Sequence, residues 1–414
     1  MPIDAGTRID IRKRTTPLRC WLSSLLLAGL AASATARGQS PLTPYGSVQA
    51  EYNSNVFSLP DAAQARLETG DSRLADESLR LVIGLDARLP LSQQTLRAKV
   101  EGRRYDFLHL NRIDHNEYLI GAGLDWDLAG VVAGTVDARQ ERRLAPFTDR
   151  ISTTLTLERE RILLATASLD ISDDWLLQAA LKGRTLASPL PDFPRFALDD
   201  NSADLALKYR IGSGIDAGVY GRYGFGKFNG VPSAGRFDEQ SLGLVTDYTI
   251  DSLSRLSAQA GYTRRKDRGQ DPNGDGGNNG GRSSAVTGKL SLARQLSGKT
   301  AIGVDAFRRV NSYVGDASTV QETGVGLSLN WTPSVKLAVA ASYQYGFSRF
   351  RQSGTNTDNS QRRDDSQVAA LQLLWQAQGW LTVRPYAAWQ TRSSTTARNS
   401  FDALIAGLEL GVRL

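Results

Sequence analysis

The sequence predicts an all-β protein: a transmembrane, antiparallel, up-and-down β-barrel of about 18 strands. Three observations lead there. Apolar residues recur at every second position along segments of roughly nine to fourteen residues. Short turns alternate with longer polar loops between those segments, and aromatic residues gather at both ends of the apolar phase.

The last segment shows the pattern most plainly. Leu404, Ala406, Leu408, Leu410, Val412 and Leu414 alternate with Ala403, Ile405, Gly407, Glu409, Gly411 and Arg413. One greasy face and one mixed face describe a strand between two unlike solvents. As an edge strand it would expose unpaired backbone groups; closing a barrel against the first strand removes that edge.

Residues 1–36 read as an export signal and residues 37–414 as the barrel. Arg8, Arg12, Lys13, Arg14 and Arg19 precede an apolar run from Trp21 to Ala32, and Ala34-Thr35-Ala36 supplies small residues for cleavage. That run is too short to span a bilayer as a helix. The single cysteine, Cys20, lies inside the signal, so disulfides and thiolate metal sites are excluded from the mature chain. Loss of the signal lowers the formal charge from +6 to about +3, which gives no argument for nucleic acid. No stretch is long and apolar enough for a membrane helix, so an exported chain with 41% hydrophobic residues is periplasmic, secreted or an outer-membrane barrel, and the period-two alternation decides for the outer membrane of a Gram-negative bacterium.

In order, the alternating segments lie near 45–53, 77–89, 95–107, 115–127, 131–143, 157–171, 174–186, 201–211 and 214–226. They continue near 238–249, 254–266, 283–296, 299–311, 319–331, 335–349, 365–377, 380–392 and 400–414. The count becomes sixteen if the first or sixth segment is not a strand. Short turns fall at 128–130, 172–173, 212–213, 250–253, 297–298, 332–334 and 378, and these belong on the periplasmic side. Outward aromatics at the short-turn ends are Trp126, Trp175, Tyr209, Tyr248, Trp331 and Trp375. At the long-loop ends they are Tyr52, Tyr118, Tyr223, Phe225, Tyr262, Tyr343, Tyr345 and Trp389. The sixth segment carries Arg159 and Arg161 on its apolar phase. Either they stand above the membrane on an extended strand, or a bulge switches the phase.

The opposite phase supplies the pore-lining candidates. They are Arg97, Lys99, Glu101, Arg103 and Tyr105 on the third segment, Asp137, Arg139 and Glu141 on the fifth, and Lys182 and Arg184 on the seventh. Asp204, Lys208 and Arg210 follow, then Asp216, Tyr220 and Arg222, and later Asp305, Phe307, Lys336, Arg384 and Tyr386. Basic residues outnumber acidic ones here. Solvated mixed charge is the plain reading; the sharper one is a path for an anionic, hydroxyl-rich polymer, with arginine forks for carboxylates and aromatic faces for sugar rings.

Nothing points to an enzyme or a cofactor. His109 and His115, the only histidines, sit by one loop with no nucleophile motif. Asp271, Asn273 and Asp275 match the first half of a calcium loop, but its twelfth position is Arg282 instead of glutamate, so a glycine-rich loop is the expectation.

Tyr52-Asn53-Ser54-Asn55-Val56-Phe57-Ser58-Leu59-Pro60 resembles the opening signature of EpsL-type exopolysaccharide barrels. Ser92-Gln93-Gln94, Tyr105-Asp106-Phe107, His115-Asn116-Glu117-Tyr118 and Trp126-Asp127-Leu128 extend the resemblance over the N-terminal third. Leu414 departs from the terminal phenylalanine or tryptophan usual in outer-membrane barrels. The resemblance implies an outer-membrane porin that exports an exopolysaccharide, working with outer-membrane lipid around it and with periplasmic or inner-membrane polysaccharide export proteins. The alternative is a general or solute-selective uptake porin.

Overall fold

A computed structural model describes residues 41–149, 153–189, 196–212, 214–230, 235–268, 282–313, 318–351 and 362–414. The expected export signal with Cys20, and the Asp271–Asp275 calcium-loop motif, lie outside the described residues.

The chain opens with β1 (Leu42–Asn53), a short helix α1 (Ala62–Thr69), β2 (Asp76–Leu91), β3 (Gln94–Phe107), β4 (His115–Leu128), β5 (Val132–Leu144) and β6 (Leu157–Asp170). It continues through β7 (Trp175–Ala187), β8 (Ala197–Ile211), β9 (Ile215–Asn229), β10 (Arg236–Asp251), β11 (Ser254–Arg268) and β12 (Arg282–Ser297). The last strands are β13 (Thr300–Tyr313), β14 (Ser318–Ser334), β15 (Leu337–Arg351), β16 (Arg363–Gln376), β17 (Leu381–Ser394) and β18 (Phe401–Arg413). Each strand pairs antiparallel with the next, and β1 pairs with both β2 and β18. The 18-stranded sheet is therefore closed, from Tyr45↔Arg413 to Asn53↔Ile405. Eighteen, not sixteen, is the count.

Closure follows from the solvent. A lipid-facing sheet edge would leave backbone donors and acceptors with neither water nor protein partners, so only a complete ring is stable in a bilayer. The outward phase is apolar and exposed at mid-strand, as at Ile83 (76%), Leu242 (70%) and Leu244 (66%). Both aromatic girdles share this phase, with Trp175 packed edge-on against Tyr209 at 5.1 Å. This belt and its closed sheet make the chain an outer-membrane β-barrel. No helix among the described residues is long and apolar enough to cross a membrane.

The short-turn end is tightly built. Between β4 and β5, Ala129 and Gly130 both take positive φ (56° and 71°), and the Asp127 carboxylate accepts from the Gly130 N–H at 2.7 Å. Two consecutive left-handed residues give the turn that matches strand twist. Register shifts fall at Thr249/Asp251, Gln295/Ser297 and Trp331/Ser334, where strands reverse. β6 contains none: Arg142↔Arg159, Gln140↔Arg161 and Ala138↔Leu163 run in unbroken phase. Arg159 and Arg161 thus remain outward on an extended strand, and the bulge is excluded.

At the long-loop end, the chain after β1 turns inward. Val56, Phe57, Leu59 and Ala65 form a buried core with Tyr105, Phe107, Leu110, Ile113 and Phe147. Phe57, Leu59, Ala65 and Ile113 are fully buried, so this is a packed plug against the wall of β3 to β5.

Leu244→Arg, on the outward mid-strand face of β10, is expected to lower folding free energy by about 2–4 kcal/mol. Urea unfolding in liposomes, compared with the inward substitution Ser241→Arg, measures this; equal cost on the two faces would reverse the assignment of lipid and lumen sides.

Candidate transport path

The inner face is set by pairing register, because directly paired residues point the same way. Rungs Val82↔Arg103↔Glu117 and Gly84↔Glu101↔Leu119↔Glu141↔Glu160 bring charges from neighbouring strands side by side. Arg103 is engaged by Glu101, by Glu117 (3.3 Å) and by Glu141 (3.0 Å). Arg143 meets Glu141 (3.3 Å), Glu158 (2.5 Å) and Glu160 (2.8 Å). Arg184 and Arg139 reach the same Glu160 at 2.8 and 3.6 Å. Arg103, Arg143 and their carboxylates are almost wholly buried, so this ladder across β3 to β7 is a desolvated ionic network. Such a network survives because each charge has several opposite partners.

Toward the short-turn end the same pairing recurs, half-exposed at Arg97 and Lys99 and buried at Lys208. Arg97 bridges Asp125 (2.8 Å) and Asp137 (3.0 Å), and Lys99 lies between Asp86 (3.6 Å) and Glu101 (3.4 Å). Lys208 binds Asp247 at 2.6 Å, Arg210 binds Asp170, and Arg222 binds Asp204 at 3.1 Å. Arg384 and Arg80 share Glu409 at 3.1 and 3.4 Å. Asp305 is 2% exposed and accepts from Ser291 at 2.5 Å. Lys182 makes no ion pair among the described residues, and Lys336 lies in the turn between β14 and β15, off the strand phase. The basic excess expected along the lumen is therefore corrected: Asp125, Glu117, Glu158, Glu160, Asp170, Asp247 and Glu409, absent from the sequence-derived set, sit beside those cations.

The aromatic faces are also occupied. A Cβ on Gly84 would stand 2.2 Å from the Tyr45 ring, and one on Gly407 would stand 2.4 Å from the Tyr386 hydroxyl. Tyr220 covers Gly243 and Gly261 in the same way, and Phe307 covers Gly324. These rings lie along the wall in gaps that glycines leave. Tyr386 donates to Glu51 at 2.6 Å, Tyr45 donates to Glu101 at 2.7 Å, and Tyr105 stacks on His115 at 4.8 Å. The Nδ1 of His115 lies 2.7 Å from the Ile113 carbonyl, so that nitrogen donates. His109 rests on the buried Asp76, whose carboxylate also accepts from the His109 and Leu110 N–H groups. Both histidines thus anchor the wall to its extracellular turn.

Two loop segments narrow the path. The first, between β1 and β2, is pinned by Asn55. Its amide donates to the Leu59 and Asp402 carbonyls (2.7 and 3.0 Å), and its oxygen accepts from the Leu59 N–H (3.0 Å). The second, between β5 and β6, crosses toward β17. Phe147 meets Phe57 edge-on at 4.9 Å, and Arg392 of β17 donates to the Thr148 carbonyl at 2.6 Å. Arg398 binds Glu68 at the end of α1 (2.8 Å), and Arg112 reaches the Thr69 carbonyl (3.3 Å). A cavity remains beneath these segments, walled by Asn53, Tyr105, Glu117, Thr148, Gln390 and Ile405 among others. The Asn53–Leu59 signal was visible in the sequence; its role as an inward hook was not.

No protein-family model and no curated protein matches the chain. Among solved structures, the siderophore receptor PiuA from Acinetobacter baumannii shares the fold at a TM-score of 0.51 and 10% identity, over 91% of this chain and 82% of that one. The copper transporter OprC matches over 88% of this chain with 11% identity and a TM-score of 0.47; this chain spans 63% of its length. OccAB3 from Acinetobacter baumannii matches over 90% of this chain and 99% of its own, with 10% identity and a TM-score of 0.46. The resemblance to EpsL-type barrels is thereby overturned: no family model matches the chain, and the barrel that shares its fold at a TM-score of 0.51 is a siderophore receptor.

Glu160→Gln removes the carboxylate shared by Arg143, Arg184 and Arg139, and is expected to cost about 3 kcal/mol of folding free energy. Equilibrium unfolding in urea checks this, and a loss below about 1 kcal/mol would show that the ladder is solvated rather than buried.

Proposed function

We propose that this outer-membrane barrel is a porin for the inward passage of small hydrophilic solutes. The observation that carries the reading is the crossing of the extracellular lumen by the segment after β5, held from Glu117 of the wall to Arg392 of β17. Glu117 accepts from the Leu144 N–H at 2.9 Å where that segment leaves β5, and Arg392 grips Thr148 further along it. A path narrowed in this way suits solutes of a few rings or fewer. A wall of mutually satisfied ion pairs offers weak contacts to many polar molecules and strong ones to few, which is what passage without trapping requires. Lys182 adds a cation for transient contact with anionic groups.

Proteoliposome swelling and planar-bilayer conductance test the reading. Monosaccharides and amino acids are expected to enter, and oligosaccharides are expected to be slowed with size. Phe147→Ala combined with Arg392→Ala, which releases the crossing segment, is expected to raise single-channel conductance roughly twofold or more. Wild-type entry that does not depend on solute size, together with unchanged conductance in the double variant, would refute it.

A further inference from the structure

We propose that the outward-facing arginines at the extracellular end of β5 and β6 bind the phosphate of a phosphorylated glycolipid in the outer leaflet. Arg142 and Arg159 are direct partners across the strand pair, and Arg161 is one outward rung nearer the membrane. Opposed like charges repel unless an anion lies between them. None of the outward residues paired beside them supplies one. Tyr118 flanks on β4, and Thr185 and Ala187 flank on β7. Neither Arg142 nor Arg159 makes an ion pair among the described residues, and Arg159 and Arg161 are exposed.

Immediately below on the same faces come Gln140, Ala138 and Val136 of β5 and Leu163, Ala165 and Ala167 of β6. The cluster therefore sits where the apolar belt meets the headgroup layer. Its geometry is held in place: Arg161 donates to the Gln140 amide oxygen at 2.9 Å, and the Gln140 amide donates to the Tyr118 hydroxyl at 2.8 Å. That leaves the Tyr118 O–H as a further donor toward the cluster. Paired guanidinium forks match phosphate oxygens bidentately, whereas ammonium groups do not.

The arrangement recurs elsewhere on the rim. Arg349 of β15 is paired directly with Arg363 of β16, and both are exposed. The outward carboxylate one rung below, Asp365, is taken by the Tyr345 hydroxyl at 2.7 Å. A phosphate carrying acyl chains satisfies both the arginines and the apolar belt beneath them; a free phosphate satisfies only the first.

The test uses the purified full-length barrel in detergent, with bisphosphorylated lipid A, chemically dephosphorylated lipid A and inorganic phosphate as probes. Native mass spectrometry and the thermal midpoint of the folded barrel are read for each. Bisphosphorylated lipid A is expected to remain bound and raise the midpoint. R142Q/R159Q/R161Q is expected to weaken that binding about tenfold, and R142K/R159K/R161K to recover only part of it. Bilayer conductance, which depends on the opposite face, is expected to stay unchanged and shows that the variants fold. Equal effects of phosphorylated and dephosphorylated lipid would overturn the proposal. So would an equal effect of inorganic phosphate, which would make this an ion site, or full binding by the glutamine variant.

Discussion

Every feature of this molecule depends on one hydrogen-bonded seam, the pairing of β18 with β1. In hydrocarbon, an unpaired strand edge cannot be satisfied by water, so the sheet must close or fail to insert. Closure with 18 strands then sets the interior problem. A ring of that size is too wide for inward side chains to fill across its diameter. Inward charges must therefore find partners sideways, on adjacent strands, and the remaining space at the extracellular end is taken by chain folded inward. The ionic ladder and the crossing segments both answer that single geometric demand.

The lateral solution explains which parts of the barrel could be read from sequence. Facing depends on a period of two within one segment, so the apolar belt, both girdles and the inward position of residues such as Arg97 and Glu141 follow from local pattern. Pairing depends on register between segments, and a one-residue slip changes every partner. Nothing local shows that Arg103 will meet Glu117 and Glu141, or that Glu160 will serve three arginines. A period of two places each strand's inward residues but not the neighbouring carboxylates that balance them, so single strands suggest a surplus of lumen cations that the paired wall does not keep. Long-range contacts from loop to wall, such as Arg392 to Thr148, leave even less trace.

The stretch from Asn53 to Leu59 shows how a motif can carry physics without carrying a family. Asn55 satisfies three backbone groups, Phe57 and Leu59 are fully buried, and Ser58 takes the positive φ of 53° on which the chain turns. Any barrel that hooks its first loop inward needs an amide clamp followed by apolar anchors. Short polar and aromatic residues in this order are thus a solution to a folding constraint. Their resemblance to another barrel's opening strand gives no warrant for a shared cargo.

The inward-lying aromatics bear on the cargo as well. A ring that projects into a lumen offers its face to a passing solute, whereas one laid over a neighbouring glycine offers only an edge. Tyr45, Tyr220, Phe307 and Tyr386 all take the second position, and Tyr220 and Phe307 are buried. Glycine at Gly84, Gly243, Gly324 and Gly407 makes that possible, because any Cβ there would meet the ring at less than contact distance. The wall thus spends its aromatic surface on its own packing and keeps the path smooth. On the proposed uptake reading, selection would fall to the segment above it, where Phe147 packs on Phe57, Arg392 donates to the Thr148 carbonyl and Glu117, a member of the buried ladder, accepts from the Leu144 N–H.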